Sequence, residues 1–448
     1  WETFSQEMWD YCIQDCNVTH TLWNKITEKN YSQQALELEH ELTEIIYRQE
    51  THGFAFNKQA AGSLYADLSA RKHELETELR TVFPDWEVKT LFTPKVNSKK
   101  FGYEKGVPTH KVKLIEFNPS SRDHVANRLQ TIRGWIPKDF TNDGKPKVDE
   151  EVLSHLDYPE AKLLVEYYTL IKRLGQLGDG NQAWLKVEKN SRIQGSVNTN
   201  GAVTGRATHA YPNVAQVPAN GVPYGKECRS CWTIPEGRKL VGIDASGLEL
   251  IMLAHYMNDP EYIEEVVNGD IHTTNQNLAG LKTRDQAKTF IYALVYGAGD
   301  AKIGSVAGGG LKKGKELKQT FFKNLPSLKN LKEKVQKASE RGYLKGLDGR
   351  KIYVRSQHAA LNTLLQGGGA IAMKKAMCFL DALIKLNGID AKFVANIHDE
   401  WQIEVPEEQA DFVGELGVKS IERASEHFKM RCPLTGEYKI GDNWYETH

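Results

Sequence analysis

Two aspartates stand where a carboxylate is hard to keep. Asp244 ends the apolar run Leu240, Val241 and Ile243 in KLVGIDASGLEL. Asp399 lies in IHDEWQIEV, after Ile397 and before the alternating Ile403 and Val405. Such alternation normally buries one face of a strand, and a buried carboxylate is unfavourable without a cation or a hydrogen-bond partner. Two separated strand-end acids could meet across a sheet and share divalent ions. Two Mg²⁺ ions held that way suit phosphoryl or nucleotidyl transfer. One ion lowers the pKa of an attacking hydroxyl and the other steadies a leaving pyrophosphate. Oxygen ligands in octahedral sites are what Mg²⁺ prefers. Taken alone, Asp244 beside the Ser246–Gly247 bend also fits a helix cap.

A second constellation lies in TRDQAKTFIYALVYGAG. Arg284, Lys288 and Tyr292 are each four positions apart, and Tyr296 continues the row. On a helix the first three fall within an arc of roughly 80°. Phe290, Ile291, Leu294 and Val295 provide packing elsewhere on that helix, and Gly297 and Gly299 close it. Surface helices usually interleave acids at i+4. This row has none, so it points to an anion. A triphosphate is the natural ligand, with a tyrosine further along to stack on a base or pack against a sugar.

These side chains need elements to hold them. Leu240–Ile243 reads as a buried strand, followed by a helix from about Leu248 that carries Glu249. Residues 397–405 read as a strand pair with the acids at its turn. Ahead of them, helices are expected over 1–24, 33–50 and 58–82. The second carries Leu38, Leu42, Ile45 and Ile46 on one face and stops at Gly53. Helix resumes at about Ser120, capped by Ser120 or Ser121, and continues to about Lys186. Between them, Lys89 to Lys113 holds seven lysines and one acid, Glu104. Pro94, Gly102, Gly106 and Pro108 break any regular element there. That stretch reads as a basic, flexible insertion, either solvated or in contact with phosphate. The Gly/Asn-rich stretch 195–218 is too polar for core and too long for a plain connection, so it reads as functional.

Composition removes several other classes. A charged fraction of 26% with 40% apolar residues is that of a soluble globular chain. Zero formal net charge excludes a general polycation but permits a local basic groove. No run of 18 apolar residues occurs, so no membrane span is expected, and no leader pattern appears at the N-terminus. Six cysteines in a chain this long do not read as a disulfide framework, so reducing, cytoplasmic chemistry is expected. The first residue is Trp1, which suggests a fragment or a processed product. Cys228 and Cys231 form one CxxC with no second ligand pair nearby, so a zinc site is not expected. GGLKKGKE, residues 309–316, nearly matches a phosphate loop, but Glu316 replaces the Mg²⁺-binding hydroxyl and no clean strand precedes it.

GIDASGLEL, RDQAKTFIYALVYGAG and IHDE, in this order, resemble motifs A, B and C of family-A DNA polymerases. TGRATHAYPNVAQVP and GLDGRKIYVRSQHAALNTLLQGGGA also match, and look like the replicative polymerases of podophages. The resemblance runs from about residue 5 to the C-terminal GDNWYETH. It implies an α+β right-hand fold, with a mostly helical thumb and fingers and an antiparallel palm. The implied divisions are an exonuclease remnant or linker at 1–24, thumb at 25–190 with a short basic insertion at about 85–116, palm at 191–256, fingers at 257–359 and palm again at 360–448.

The same resemblance implies the roles. Asp244 and Asp399, with the Ala245 carbonyl, would bind both Mg²⁺ ions. Arg284 and Lys288 would hold the incoming dNTP, helped by His272, with Lys288 also a proton donor to pyrophosphate. Tyr292 would lie beside the sugar, where a tyrosine goes with ready acceptance of dideoxynucleotides, and with Glu249 it would exclude a ribose 2′-hydroxyl. Tyr296 would stand near the template base. Arg206, Asn362 and Gln366 would read minor-groove acceptors, and His398 and Glu400 would flank the metal ligand, Glu400 as a supporting group. Primer–template DNA and dNTPs are the implied partners, with a phage helicase–primase in the host cytoplasm and no membrane. The shortened stretch from Asp85 to Glu116 counts against dependence on host thioredoxin. Tyr11 and Asp15 match the last motif of a 3′–5′ exonuclease whose earlier acids this chain lacks, so proofreading is not expected of it. The rival readings are a single-subunit RNA polymerase, which Glu249 beside Tyr292 opposes, and an inert DNA-binding subunit, which the intact aspartates oppose.

Overall fold

The computed structural model describes residues 3–448, so the first two positions of the expected 1–24 helix lie outside the described residues. The chain forms two compact units. The larger holds the chain through Phe56, then 192–217 and 232–448. The smaller holds 57–191 and 218–231.

The larger unit is built on a four-stranded antiparallel sheet. Its order is Lys392–Ile397, Glu400–Pro406, Arg238–Ala245, Gly436–Gly441. Leu240, Val241, Ile243, Trp401, Ile403 and Val405 are buried, as their alternating or continuous apolar pattern requires. The helix Ala410–His427 packs on this sheet, and Ala360–Leu386 packs on that helix. Close approach depends on two glycines. A Cβ at Gly414 would collide with the Tyr438 ring, and one at Gly417 with the Ile243 side chain.

Gln33–His52 also belongs to this unit, although 25–56 was expected with the thumb. Its buried Leu38, Leu42, Ile45 and Ile46 join the core shared by the sheet and Ala360–Leu386. Gly53 ends it at φ +71°, the backbone freedom the sequence reading needed. The first helix, Gln6–Thr27, buries none of its residues, and Tyr11 and Asp15 lie on it exposed.

The smaller unit packs Lys58–Val82 against Pro159–Leu174. Leu68, Leu75, Leu79, Leu164 and Leu170 are buried, and Arg71 Nε donates to Glu166 at 2.8 Å. Ser121 caps Arg122–Arg133 by accepting from the His124 N–H. Helix does not run on unbroken from there. Residues 134–149 are irregular, and a π-helical turn, Gly175–Asp179, interrupts the run before Lys186. Cys228 and Cys231 are buried, and burial pushes both thiols up to about 12.

The lysine-rich segment corrects the sequence reading. It is a regular two-stranded antiparallel ribbon, Trp86–Phe92 with Thr109–Ile115, in register from Trp86↔Ile115 to Phe92↔Thr109. The proline and glycine breakers all fall in the 93–108 tip, outside the strands. Val88, Thr90, Val112 and Ile115 give the strands β-branched residues that favour pairing. The near phosphate loop is not strand–loop–helix either. Gly309 and Gly310 lead from the helix Asp300–Val306 into Leu311–Asn324.

Candidate active site

The sheet register brings the two aspartates together. Glu400 pairs with Asp244 across Glu400–Pro406 and Arg238–Ala245, and the Ala245 N–H donates to the Asp399 carbonyl at 3.1 Å. Ile397 pairs with Glu400, so His398 and Asp399 form a two-residue turn, with His398 at φ +57°. Asp399 therefore stands at a hairpin tip beside the end of the strand that carries Asp244. Both are half-buried. Burial, then the charges of Asp399 and Glu400, raise the Asp244 carboxyl to about 7. Burial and then Glu249 push Asp399 up as well.

Glu400 is differently occupied. It is buried, and Oε1 accepts from Trp444 Nε1 at 2.7 Å and Gln402 Nε2 at 2.6 Å, while Oε2 pairs with His448 Nδ1 at 2.8 Å. Burial raises its pKa, but His448, Gln402 and Trp444 outweigh that and hold the carboxyl below the usual range. Sequence reasoning missed this lock. Trp444 and His448 lie more than 40 positions away and no periodicity connects them to Glu400.

Arg284–Val295 presents the expected row. Arg284 and Lys288 are exposed, and Lys288 has no ion-pair partner among the described residues. The Arg284 guanidinium pairs with Asp270, Nε to Oδ2 at 2.9 Å. Asp270 also caps Ile271–Ala279, and Arg284 and Thr273 hold its carboxyl well below the carboxylate range. His272 follows that cap. Its Nδ1 is buried and unpartnered, and burial, Arg284 and Lys288 lower its pKa. His272 and Tyr292 line an open cavity with Ser246, Gly247 and Thr435. The Tyr292 ring lies 6.4 Å from His272 and 6.4 Å from Tyr296, stacked on the latter.

Glu249 is held by two side chains: its Oε1 accepts from the Tyr296 hydroxyl at 2.9 Å and from Arg206 at 3.2 Å. Arg206 lines a second cavity with His398, Asn396 and Lys374. Asn362 and Gln366 lie one turn apart near the start of Ala360–Leu386, both half-buried. The Oδ1 of Asn362 is buried without a partner. Among the described residues neither side chain bonds to Arg206.

The donor chemistry suits Mg²⁺. No cluster of three or more His, Cys, Asp and Glu stands ready for a metal among the described residues. Mg²⁺, however, is usually held by one or two carboxylates with substrate phosphates, and Asp244 with Asp399 supplies two. Both carboxyls are pushed up in the absence of a compensating charge, which a cation would reverse.

The family model described as DNA polymerase family A matches residues 103–446. Over its whole length this chain is 39% identical to a DNA-directed DNA polymerase of Enterobacteria phage T3 and 38% identical to that of Escherichia phage T7, covering 77% of each. The fold is similar to the POL domain of Pol1 from M. smegmatis, solved in complex with DNA primer-template and dNTP. The TM-score is 0.75 at 20% identity, over 91% of this chain and 70% of that one. The α+β right-hand architecture is thereby established. No helix among the described residues is long and apolar enough to cross a membrane.

Proposed function

The chain belongs to DNA polymerase family A, and from that premise we propose how its residues divide the work. It is a DNA-directed DNA polymerase, and synthesis is template-directed. The primer 3′-hydroxyl oxygen bonds to the α-phosphorus of a dNTP. The bond from that phosphorus to the bridging oxygen breaks, and pyrophosphate leaves. The family is metal-dependent, and our reading is two Mg²⁺ ions on Asp244, Asp399 and the Ala245 carbonyl. Bound there, Mg²⁺ would make the 3′-hydroxyl more acidic and neutralise the leaving phosphates.

The observation that carries the assignment is the Ala245–Asp399 backbone bond, which ties the hairpin tip to the end of the Asp244 strand. Arg284, Lys288 and His272 would hold the triphosphate, with Arg284 exchanging Asp270 for phosphate. Lys288, exposed and without an ion-pair partner, would protonate pyrophosphate. Tyr292 would face the sugar. Glu249, fixed by Tyr296 and Arg206, would help to exclude a 2′-hydroxyl, and Tyr296 would stand near the template base. Arg206, Asn362, Gln366 and His398 would meet the primer–template. Glu400 acts by positioning, since its oxygens are committed. We assign 57–191 with 218–231 to the thumb, 257–359 to the fingers, and 192–217 with 232–256 and 360–448 to the palm.

Asp244→Ala and Asp399→Ala should each lower primer extension by at least about 10³-fold. Binding of primer–template in a gel-shift assay should persist. Extension that survives either change removes the metal assignment. Offering ribonucleotides beside deoxynucleotides tests the polymerase class, since a preference for ribonucleotides would contradict it.

A further inference from the structure

The ribbon Trp86–Phe92 and Thr109–Ile115, with its 93–108 tip, takes no part in the chemistry above. Over 86–115 it carries seven lysines against two acids, Glu87 and Glu104. All seven lysines are exposed, and none has an ion-pair partner among the described residues. Several lysines elsewhere stand beside acids, as Lys58 does with Glu188, Lys147 with Asp149 and Lys239 with Asp442, whereas the ribbon concentrates seven without one. A solvated surface normally mixes both signs.

The ribbon is anchored only at its root. Arg128 lies over the Trp86 ring at 4.0 Å, His124 meets that ring edge-on at 5.0 Å, and the Phe117 N–H donates to Asp85 at 3.1 Å. Beyond the root, among the described residues, no hydrogen bond, ion pair or ring contact joins it to another element. Leu91 is 63% exposed, Leu114 65% and Phe101 61%. Register puts Lys111 and Lys113, opposite Thr90 and Val88, on one face. Two residues apart on a strand they are separated by roughly 7 Å, a step comparable with that between neighbouring phosphates along one nucleic-acid strand. Lys99, Lys100 and Lys105 extend the same charge into the tip, beside the stacked rings of Phe101 and Tyr103 at 5.6 Å.

We propose that this ribbon is a DNA-binding arm that grips the sugar–phosphate backbone of the primer–template. The assignment rests on the polymerase reading and extends it from the reacting end to retention of the DNA. Charge complementarity selects the occupant. Unneutralised lysines release counterions from a polyanion, whereas on the opposite face Leu91, Val112 and Leu114 accompany one acid and one lysine, Glu87 and Lys89, which leaves a competing protein partner no net charge to select. A two-stranded ribbon is also narrow enough to enter a major groove.

The test uses the full chain with Lys99, Lys100, Lys105, Lys111 and Lys113 all replaced by Gln, and a second variant with the same five replaced by Glu. Labelled primer–template is titrated across roughly 50 to 300 mM salt. Each lost phosphate contact should flatten the log–log salt slope by about 0.9. The Gln variant should therefore lose about 2 to 4 from the slope, bind several-fold more weakly at low salt and make shorter products per binding event. The Glu variant should fall further on each count. An unchanged slope with unchanged product length overturns the arm, and so does a defect that appears only once a protein factor is added. Thermal melting of the variants excludes misfolding. Single-nucleotide insertion by the unaltered chain checks the polymerase reading separately.

Discussion

Tyr292 is half-buried between two rings, and burial followed by the charge of Glu249 pushes its phenol upward, so it stays neutral at working pH. Its hydroxyl is the group that tells it from phenylalanine. Tyr292→Phe should make the enzyme reject dideoxynucleotides more strongly, seen as fewer terminated products at a fixed dideoxy-to-deoxy ratio. An unchanged ladder would mean that this side chain does not face the sugar. The row from Arg284 to Tyr296 was legible in the sequence because it repeats every four residues on one helix. The partners of Glu249 were not. Arg206 lies 43 positions before it and Tyr296 47 after, and only the fold brings them to one oxygen. Asp270, which holds Arg284, sits two residues before His272, where its capping preference was a readable signal.

Between elements, one nearly buried junction gathers charge away from the active site. Glu39, on Gln33–His52, accepts from Lys374 at 2.5 Å and Arg350 at 2.6 Å, and both cations also reach Asn200. Burial lowers Lys374 to about 8 even with Glu39 drawing it back up. Glu39→Ala would leave the nearly buried Lys374 without its carboxylate, while Arg350 keeps Asp348. It should destabilise the protein by about 3 kcal/mol in urea unfolding. Adding Lys374→Met should recover part of that, and strictly additive losses would show that the pair is not coupled. At this scale the sequence was legible where period and punctuation agreed, as over 33–52 and 58–82. It misled over 89–113, where the tip's prolines and glycines masked two short strands whose lysines and β-branched residues share both faces. A ribbon with no buried side shows no alternation to read.

The two carboxylates also reach the stability of the whole molecule. Asp244 rises from 3.8 in an unfolded chain to about 7 in the metal-free fold. Its contribution to stability is therefore complete below about pH 4 and lost as pH climbs through about 7. Mg²⁺ must displace that proton. The Mg²⁺ concentration needed for half the maximal rise in melting temperature should fall about tenfold between pH 6 and pH 8. A pH-independent midpoint would show that Asp244 is not a ligand. The palm motifs were legible in the sequence because each is a local run. The grouping of 218–231 with 57–191 was not, because it depends on packing between segments far apart in the chain. The Asp244 strand is flanked on both sides by strands 400–406 and 436–441. On the ribosome, then, each nascent chain carries Asp244 as an unpaired, open strand while more than 150 further residues are assembled. Its second edge stays open until 436–441 follow, and over that interval the unpaired apolar strand is a surface that a chaperone can bind.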